Sequence, residues 1–533
     1  MPGQLQPLDI PAGVVSMPTK RMRSTNWSEV NAIRWIEGQM QPIGGQEKII
    51  YYDGSDAQIP TPFASRVRKI HTWYDLTGQV YVSYLCEEHV YVDKLGMLID
   101  ITPTGGMQPP PTPTDGFGTG LSGMGLYGEP PRPGAGLEVS LTVLPPAYSM
   151  DNMGQMLMVM SSSDGRLLQW DPTAAAGTKL TQVPAVAGGQ AGMSPKGRCF
   201  VVTPDRFVQI FGMYDDGTTD GPIAPGRRFG WCDQEDPTDW DFSSVTNQAG
   251  FLDIEPASPI LAACAGRAGF VVFFTGKRSY VSRYLGLPYV YDFEVLADDV
   301  TPWSPQSICT TSQQMMWMSQ QGMWSFDGTS VTSVPCMIRT WITDDIDIMQ
   351  TRFQACAAHL GAFNEFWWFY PQAGQPFNTR AAVYNYREGW WSQARMPRSA
   401  GITSSYTMSS IFADGQQAYR HESGQYYNDC DLPWADSFSL NLSSGGMLTT
   451  LKQMLVDLDG DPTNLQYQLY TRMNRLGSAP ETLTPPRSIR PDGFVDFRTT
   501  ARDMRLRCAV KANPVSPFTI GQSMIDVAQR GQR

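Results

Sequence analysis

Histidine, charge, paired cysteines and long apolar runs are all scarce in this chain of 533 residues, and each scarcity closes off a class of protein. Only four histidines occur (His71, His89, His359, His421), and none stands in HxH or HExxH spacing. That leaves no imidazole pair of the kind a catalytic zinc requires. The nine cysteines (Cys86, Cys199, Cys232, Cys264, Cys309, Cys336, Cys356, Cys430, Cys508) are odd in number, widely scattered and without a CxxC. They read as reduced core thiols of a protein made in a cytosol. The best apolar stretch, residues 260–274, is interrupted by Arg267, so no membrane-spanning segment is expected. The opening MPGQLQPLDIPAG has no basic segment followed by an apolar one, so no secretory leader is expected. Charged residues make up only 17%, and 40 basic against 51 acidic residues leave a net charge of −11. That balance disfavours a protein that grips nucleic acid by neutralising phosphates, but not one that DNA slides past.

Glycine (50), proline (41) and aromatic residues (15 Trp, 22 Tyr, 23 Phe) are what the chain has in quantity. A hydrophobic content of 41% supplies an ample core and excludes wholesale disorder. Aromatic and turn-forming residues enriched together point to many short strands. At roughly 100–200 residues per domain the length implies about three units, or fewer if one is a barrel or propeller.

From about Arg66 to Glu422, within an expected propeller domain of residues 61–432, a theme recurs: two short strands, a tight turn, a polar link. The paired segments are 80–85 with 89–93, 156–160 with 167–170, 199–203 with 207–211, and 270–274 with 279–284. The series continues with 315–319 and 323–326, 366–370 and 381–386, and 410–413 and 417–421. Seven hairpins at intervals of roughly 40–60 residues predict a β-propeller of six or seven blades. Several segments end alike, as in Leu168-Gln-Trp-Asp171-Pro and Trp324-Ser-Phe-Asp327-Gly. Helices are nearly absent by pattern, with 342–356 and 26–37 the short candidates. Residues 103–147, rich in Pro and Gly, read as a long inserted loop between blades. Residues 1–60 read as an N-terminal segment partly joining the propeller. In 433–533 six alternating segments (437–442, 451–458, 465–471, 493–497, 504–511, 524–527) predict a C-terminal β-sandwich. The expected class is therefore all-β.

Chemistry is hard to find. Gly118, Gly120 and Gly123 match GxGxxG, but Pro-rich coil precedes them and no helix follows, so a flexible loop is the better reading. Asp457, Asp459 and Asp461 form DxDxD, yet Pro462 stands where a calcium loop needs Gly and Gln468 where it needs Glu; a turn is expected. The adjacent acids Asp215–Asp216, Asp298–Asp299 and Asp344–Asp345 cannot both reach one bond from a strand, where neighbours point to opposite faces. Arg498, Arg502, Arg505, Arg507 and Lys511 are the one basic concentration, with Arg505 and Arg507 expected to share a solvent face. A sandwich edge or a contact with acidic partners is a better reading of them than nucleic acid. No catalytic, cofactor-binding or metal-ligating residue is assigned, no cofactor is expected, and the chain does not read as an enzyme.

Several stretches together carry a resemblance that spans the whole chain. They are Ala32-Ile-Arg-Trp35 with Gly38 and Pro42-Ile-Gly44-Gly45, the tract FGTGLSGMGLYG, Tyr148-Ser-Met-Asp-Asn152 and Gly165-Arg-Leu-Leu-Gln-Trp-Asp171. Phe229-Gly-Trp231-Cys-Asp233, Asp236-Pro-Thr-Asp-Trp240, Phe363-Asn-Glu-Phe-Trp-Trp-Phe-Tyr-Pro371 and Tyr384-Asn-Tyr-Arg-Glu-Gly-Trp390 follow. The ending Phe497-Arg498, Arg505-Leu-Arg507, Ile520-Gly521, Asp526-Val527 and Gly531-Gln-Arg533 completes them. The combination resembles the tail hub or nozzle proteins of short-tailed bacteriophages, related to the packaged-DNA stabilisation proteins. Met153 and Met160 depart from that pattern, where aromatic or polar residues are usual. The resemblance implies a homo-hexameric ring in the virion tail, below portal and adaptor, that continues the DNA channel. It implies retention of packaged double-stranded DNA without specific binding, and anchorage of a knob, needle or fibres. Six copies would carry roughly −66 formal charges, which repels phosphate wherever it lines a lumen. A propeller-type glycan-binding or glycan-degrading tail protein is the alternative.

Overall fold

The computed structural model describes residues 5–16, 26–110, 144–184, 195–213, 226–255, 258–266, 269–407, 409–440, 442, 447–473 and 480–530. The glycine tract and Asp215–Asp216 lie outside these residues, as does most of the expected inserted loop. Among the described residues the protein is almost entirely β-structure. Seven sheets, each built on four antiparallel strands and the first extended to six, succeed one another along the chain. Their innermost strands are Val67–Tyr74, Tyr148–Met153, Cys199–Val202, Ile260–Ala265, Ile308–Thr310, Cys356–Leu360 and Ala400–Ile402. These lie side by side in that order, with the turn Pro305–Ser307 making the contact between the fourth and fifth. Ala400–Ile402 returns to lie beside Val67–Tyr74, which closes the ring. The propeller therefore has seven blades, and each of the seven hairpins read in the sequence falls in a different one.

The seventh blade is completed from a distance. Its fourth strand is Gln46–Lys48, which pairs Gln46 with His421 and Lys48 with Tyr419. Tyr51–Tyr52 then runs parallel to Met97–Asp100 on the outer edge of blade 1. Closing the circle with an N-terminal strand ties chain ends together, so the ring cannot open without losing a whole edge of hydrogen bonds.

The remaining N-terminal strands leave the propeller. Leu5–Pro7 pairs with Met524–Arg530, and that sheet continues through Leu448–Leu455 to Phe494–Ala501. Trp27–Asn31 pairs with Trp434–Ser439, and that sheet continues through Asp503–Val510 to Leu465–Arg472 and Thr482–Leu483. These two sheets form the sandwich, and all six alternating segments of the sequence contribute a strand. A small third sheet joins Ile33–Ile36 and Gln39–Pro42 to Phe518–Ile520 and Leu458–Gly460.

The helix expected over 26–37 is instead two strands. Ala32, at φ 50°, breaks the segment, and Glu37-Gly38 (φ 53° and 80°) forms a two-residue turn opposite Ile36 and Gln39. Positive φ at both central residues is the geometry that matches strand twist in a tight hairpin. The 342–356 candidate is two short helices, Arg339–Asp345 and Ile348–Gln354, the second capped by Asp347, whose side chain accepts from Gln350 N at 2.9 Å. The recurring Asp after an apolar strand end has the same logic. Asp171 and Asp327 each accept from the backbone N–H two residues on, at 2.8 Å, and so shape the turn to the outermost strand. Hydrogen bonds from the Ser330 backbone N–H and from the hydroxyl and backbone N–H of Thr329 hold the Asp327 carboxyl down at about 2.

One apolar cluster crosses from the propeller into the sandwich. It runs from Met316 and Met323 of blade 5 through Trp367, Trp368 and Trp391 of blade 6, by way of Trp27, Val30 and Trp35, to Leu451, Val495 and Leu506. Met153 and Met160 are buried in a separate cluster with Phe200 and Ile210 of blade 3, where flexible thioethers fill the gap between blades.

Candidate functional site at the propeller axis

A propeller gathers its first strands around an axis, so that is where distant residues converge. A cavity of about 160 Å³ opens there among blades 1 to 5, lined by Lys69, Asp151, Cys264, Gln306 and Thr310 among others. Lys69 comes from the first strand of blade 1 and Asp151 from that of blade 2. His71 lies two residues on from Lys69; its Nε2 is 2.8 Å from Asn152 Oδ1 and 4.0 Å from Asp151 Oδ1. Burial lowers the pKa of His71, with Asp151 opposing, so the ring is neutral near pH 7. Burial raises the Cys264 thiol, with Lys69 opposing, which leaves it a poor nucleophile. A neutral imidazole, a carboxylate, an ammonium and an unactivated thiol form no nucleophile–base pair. The volume is also well below the roughly 300–1,000 Å³ of ordinary ligand pockets.

The other histidines serve packing. His359 Nε2 lies 3.2 Å from Tyr386 Oη, and the His89 ring stacks on Tyr91. His421 accepts from Arg398 Nε at 2.9 Å while Arg398 Nη2 donates to Gln46 Oε1 at 2.9 Å, so the trio fastens the ring-closing strand. Burial first, then Arg398 and Arg34, push the His421 pKa well down.

Two carboxylates do meet inside the protein, and sequence spacing gave no sign of it. Arg34 donates to Glu365 through Nε and Nη2 at 3.0 and 2.9 Å, and to Glu422 Oε1 at 2.6 Å. Trp367 Nε1 and Gly44 N supply the remaining donors at 3.0 and 2.8 Å. Burial raises the Glu365 pKa; Arg34 opposes this and Glu422 reinforces it. A glycosidase needs its two carboxyl groups on opposite sides of an accessible bond. Here both are turned onto one guanidinium, with the Arg34 and Glu365 side chains only 3% exposed. The cluster is a bolt between the N-terminal hairpin and blades 6 and 7.

The C-terminal basic residues are corrected by the structure. Arg505 does not face solvent: it is 4% exposed and donates to Ser437 O at 2.9 Å and Glu481 Oε2 at 3.0 Å. Arg507 reaches Asp436 Oδ2 at 3.2 Å and Tyr470 Oη at 2.7 Å. Strand Trp434–Ser439 is the neighbour in the same sheet and sets Asp436 opposite Arg507 and Ser439 opposite Arg505, partners that alternation alone does not reveal. Lys511 donates to Thr463 O at 2.6 Å. Of the acidic runs, Asp461 caps the turn Pro462–Asn464, Asp298 pairs with Arg278 at 2.7 Å and Asp345 with Arg380 at 3.0 Å.

Several exposed apolar residues lie in turns on one face of the propeller. In a meander the turns after the first and third strands share a face of the propeller. Tyr74 and Leu76 follow the first strand of blade 1, and Tyr406 the first strand of blade 7, with Tyr74 and Tyr406 rings 5.2 Å apart. Leu95 follows the third strand of blade 1, Val245 that of blade 3, and Leu285, Leu287 and Tyr289 that of blade 4. Leu76, Leu95 and Val245 are 88%, 85% and 97% exposed.

No family model and no curated protein matches the chain. Among solved structures it is similar to the β-propeller domain of Myceliophteria_thermophila Cps50 (Swd1), at 8% identity over 72% of this chain and 99% of that one, TM-score 0.36. It is also similar to YCF48 bound to D1 peptide, at 11% identity over 70% and 94%, TM-score 0.33. An exo-beta-1,3-galactanase from Phanerochaete chrysosporium matches at 8% identity over 73% and 97%, TM-score 0.24. The propeller assignment rests on the seven sheets themselves.

Proposed function

We propose that this chain is a structural virion protein, a subunit of the nozzle or hub ring of a short-tailed phage. The whole-chain sequence resemblance suggests it, and the observation that carries it is the single apolar core uniting propeller and sandwich. A ring that retains pressurised DNA needs subunits that do not flex between domains, and a shared core supplies this where a linker would not. The uncharged turns 285–290 and 403–407 on one propeller face, with exposed Leu285, Leu287, Tyr289 and Tyr406, suit packing against other tail proteins. In this reading six copies surround the tail axis below portal and adaptor, DNA passes without specific binding, and the distal knob, needle or fibres attach beneath.

A second reading, a glycan-binding tail protein, is favoured by the exposed Tyr74–Tyr406 pair, since aromatic faces stack on sugar rings. The degrading form of that reading would need a carboxylate pair other than Glu365 and Glu422.

Electron cryomicroscopy of the phage that carries this chain tests the proposal. Six copies in a ring on the path of the exiting genome are expected. A location on the fibres or in the capsid, or capsule hydrolysis abolished by a single carboxylate substitution, would overturn it.

A further inference from the structure

The propeller ring closes at a junction built around a histidine that can serve only while neutral. Gln46–Lys48 is the edge strand of blade 7, paired on one side with Gln417–His421. Just beyond it Tyr51–Tyr52 lies against Met97–Asp100 of blade 1, so the same segment ties the last blade to the first. Little apolar burial backs this tie: Gln46 is buried, but Glu47 and Lys48 are exposed. Its hold therefore rests on hydrogen bonds.

Three buried side chains meet where Gln46 pairs with His421. Arg398 Nε donates to His421 Nε2 and Arg398 Nη2 to Gln46 Oε1, both at 2.9 Å, while Nη1 donates to Pro397 O. A ring nitrogen that accepts such a bond carries no proton, so this imidazole is the Nδ1–H tautomer. A second proton would set N–H against N–H across that contact and place a cation beside the guanidinium. The surroundings offer it no countercharge at contact. The His421 ring stacks on Phe412 at 3.9 Å and meets Trp367 edge-on, and the guanidinium lies over Tyr419. Arg34, the next cation, is paired with Glu365 and Glu422. Asp414 is turned to Arg66 at 3.8 Å, Asp429 stands beside Tyr419, Cys430 Sγ donates to Gln46 Oε1 at 3.2 Å, and Arg420 is exposed.

We infer that this junction is an acid-released clasp: a proton taken up by His421 detaches Gln46–Lys48 from blade 7 and undoes the tie to blade 1, while the blades stay folded. A glutamine in place of His421 could accept from Arg398 at any pH; the imidazole makes the bond conditional. His421 is neutral in the closed ring and titrates near 6.5 once released. The clasp is therefore at full strength above that value and weakens as pH falls below it. The inference concerns the propeller alone and does not depend on a place in a virion.

Hydrogen exchange of the full chain at pH 7.5 and 5.0, followed by mass spectrometry, tests it, each rate being divided by the intrinsic rate at that pH. Segment 46–49 should open roughly 30-fold more at pH 5.0, reversibly, while Val80–Cys86 and Glu365–Pro371 keep their protection. Between pH 6 and 5 the opening should rise about 10-fold, the slope of one proton. His421→Gln should reduce the pH effect on segment 46–49 to under about 3-fold, whereas His359→Gln should leave it intact. Exchange of segment 46–49 that ignores pH, or a pH effect that survives His421→Gln, would overturn the inference. So would loss of protection in all blades at once, or a slope of two or more protons in the unaltered chain, since either marks general acid unfolding.

Discussion

Blade 6 and blade 4 share a topology and differ in what covers them. In blade 6 the outermost strand Trp391–Ala394 is buried at all four residues, because the N-terminal strands Trp27–Asn31 and Ile33–Ile36 pack against it. In blade 4 the outermost strand Tyr291–Asp298 is largely open, and its charges pair across the surface, Arg283 with Glu294 and Arg278 with Asp298. The difference teaches that the propeller is stiffened on one side and presented on the other. The stiff side carries the buried ion cluster and the tryptophans; the open side carries Leu285, Leu287 and Tyr289.

The sharpest way to break the contrast is at Arg34. Arg34→Met strands the buried Glu365 carboxylate and the half-buried Glu422, at a cost of about 3–5 kcal/mol. Calorimetry should show the unfolding midpoint falling by several degrees, and an unchanged midpoint would remove the bolt from this picture. Trp368→Ala should cost about 3–5 kcal/mol as well, through the void it leaves and the lost hydrogen bond to Ser307 O (3.1 Å).

Acid should weaken the closed side next. His421 is held neutral in the fold, so its contribution is present above its unfolded value of about 6.5 and is lost as pH falls below it. The slope contributed is about 1.4 kcal/mol per pH unit for one proton. His421→Gln, which keeps an acceptor for Arg398, should flatten the acid limb of the stability profile by about one proton. A profile identical to that of the parent chain would contradict this.

The open side should behave oppositely. Leu287→Ser with Tyr289→Ser should leave the unfolding midpoint unchanged; under the proposed virion role it should also reduce the amount of chain found in purified particles. Smallest of all, Arg283→Ala should leave the midpoint within error, since exposed pairs contribute little. A large loss there would erase the distinction between the two blades.

Legibility in the sequence follows the same divide. The seven hairpins were readable because each is local: apolar alternation, a turn, and apolar alternation again. The ring-closing strand Gln46–Lys48 was not, since Gln-Glu-Lys has no apolar signature and its partner His421 lies at the far end of the propeller sequence. Segment 26–37 is a short helix candidate by pattern, yet Ala32 at φ 50° splits it into two strands that pair into different sheets. The Arg34–Glu365–Glu422 cluster joins three segments remote in sequence, so no motif could announce it.

Hydrogen exchange on the isolated chain, followed by mass spectrometry, tests most directly the claim that propeller and sandwich are one block. Strands Glu365–Pro371, Leu448–Leu455 and Asp503–Val510 should exchange together and only through a common, rare opening, while Tyr291–Asp298 exchanges far sooner. Sandwich strands that open on their own, well before those of blade 6, would contradict the account.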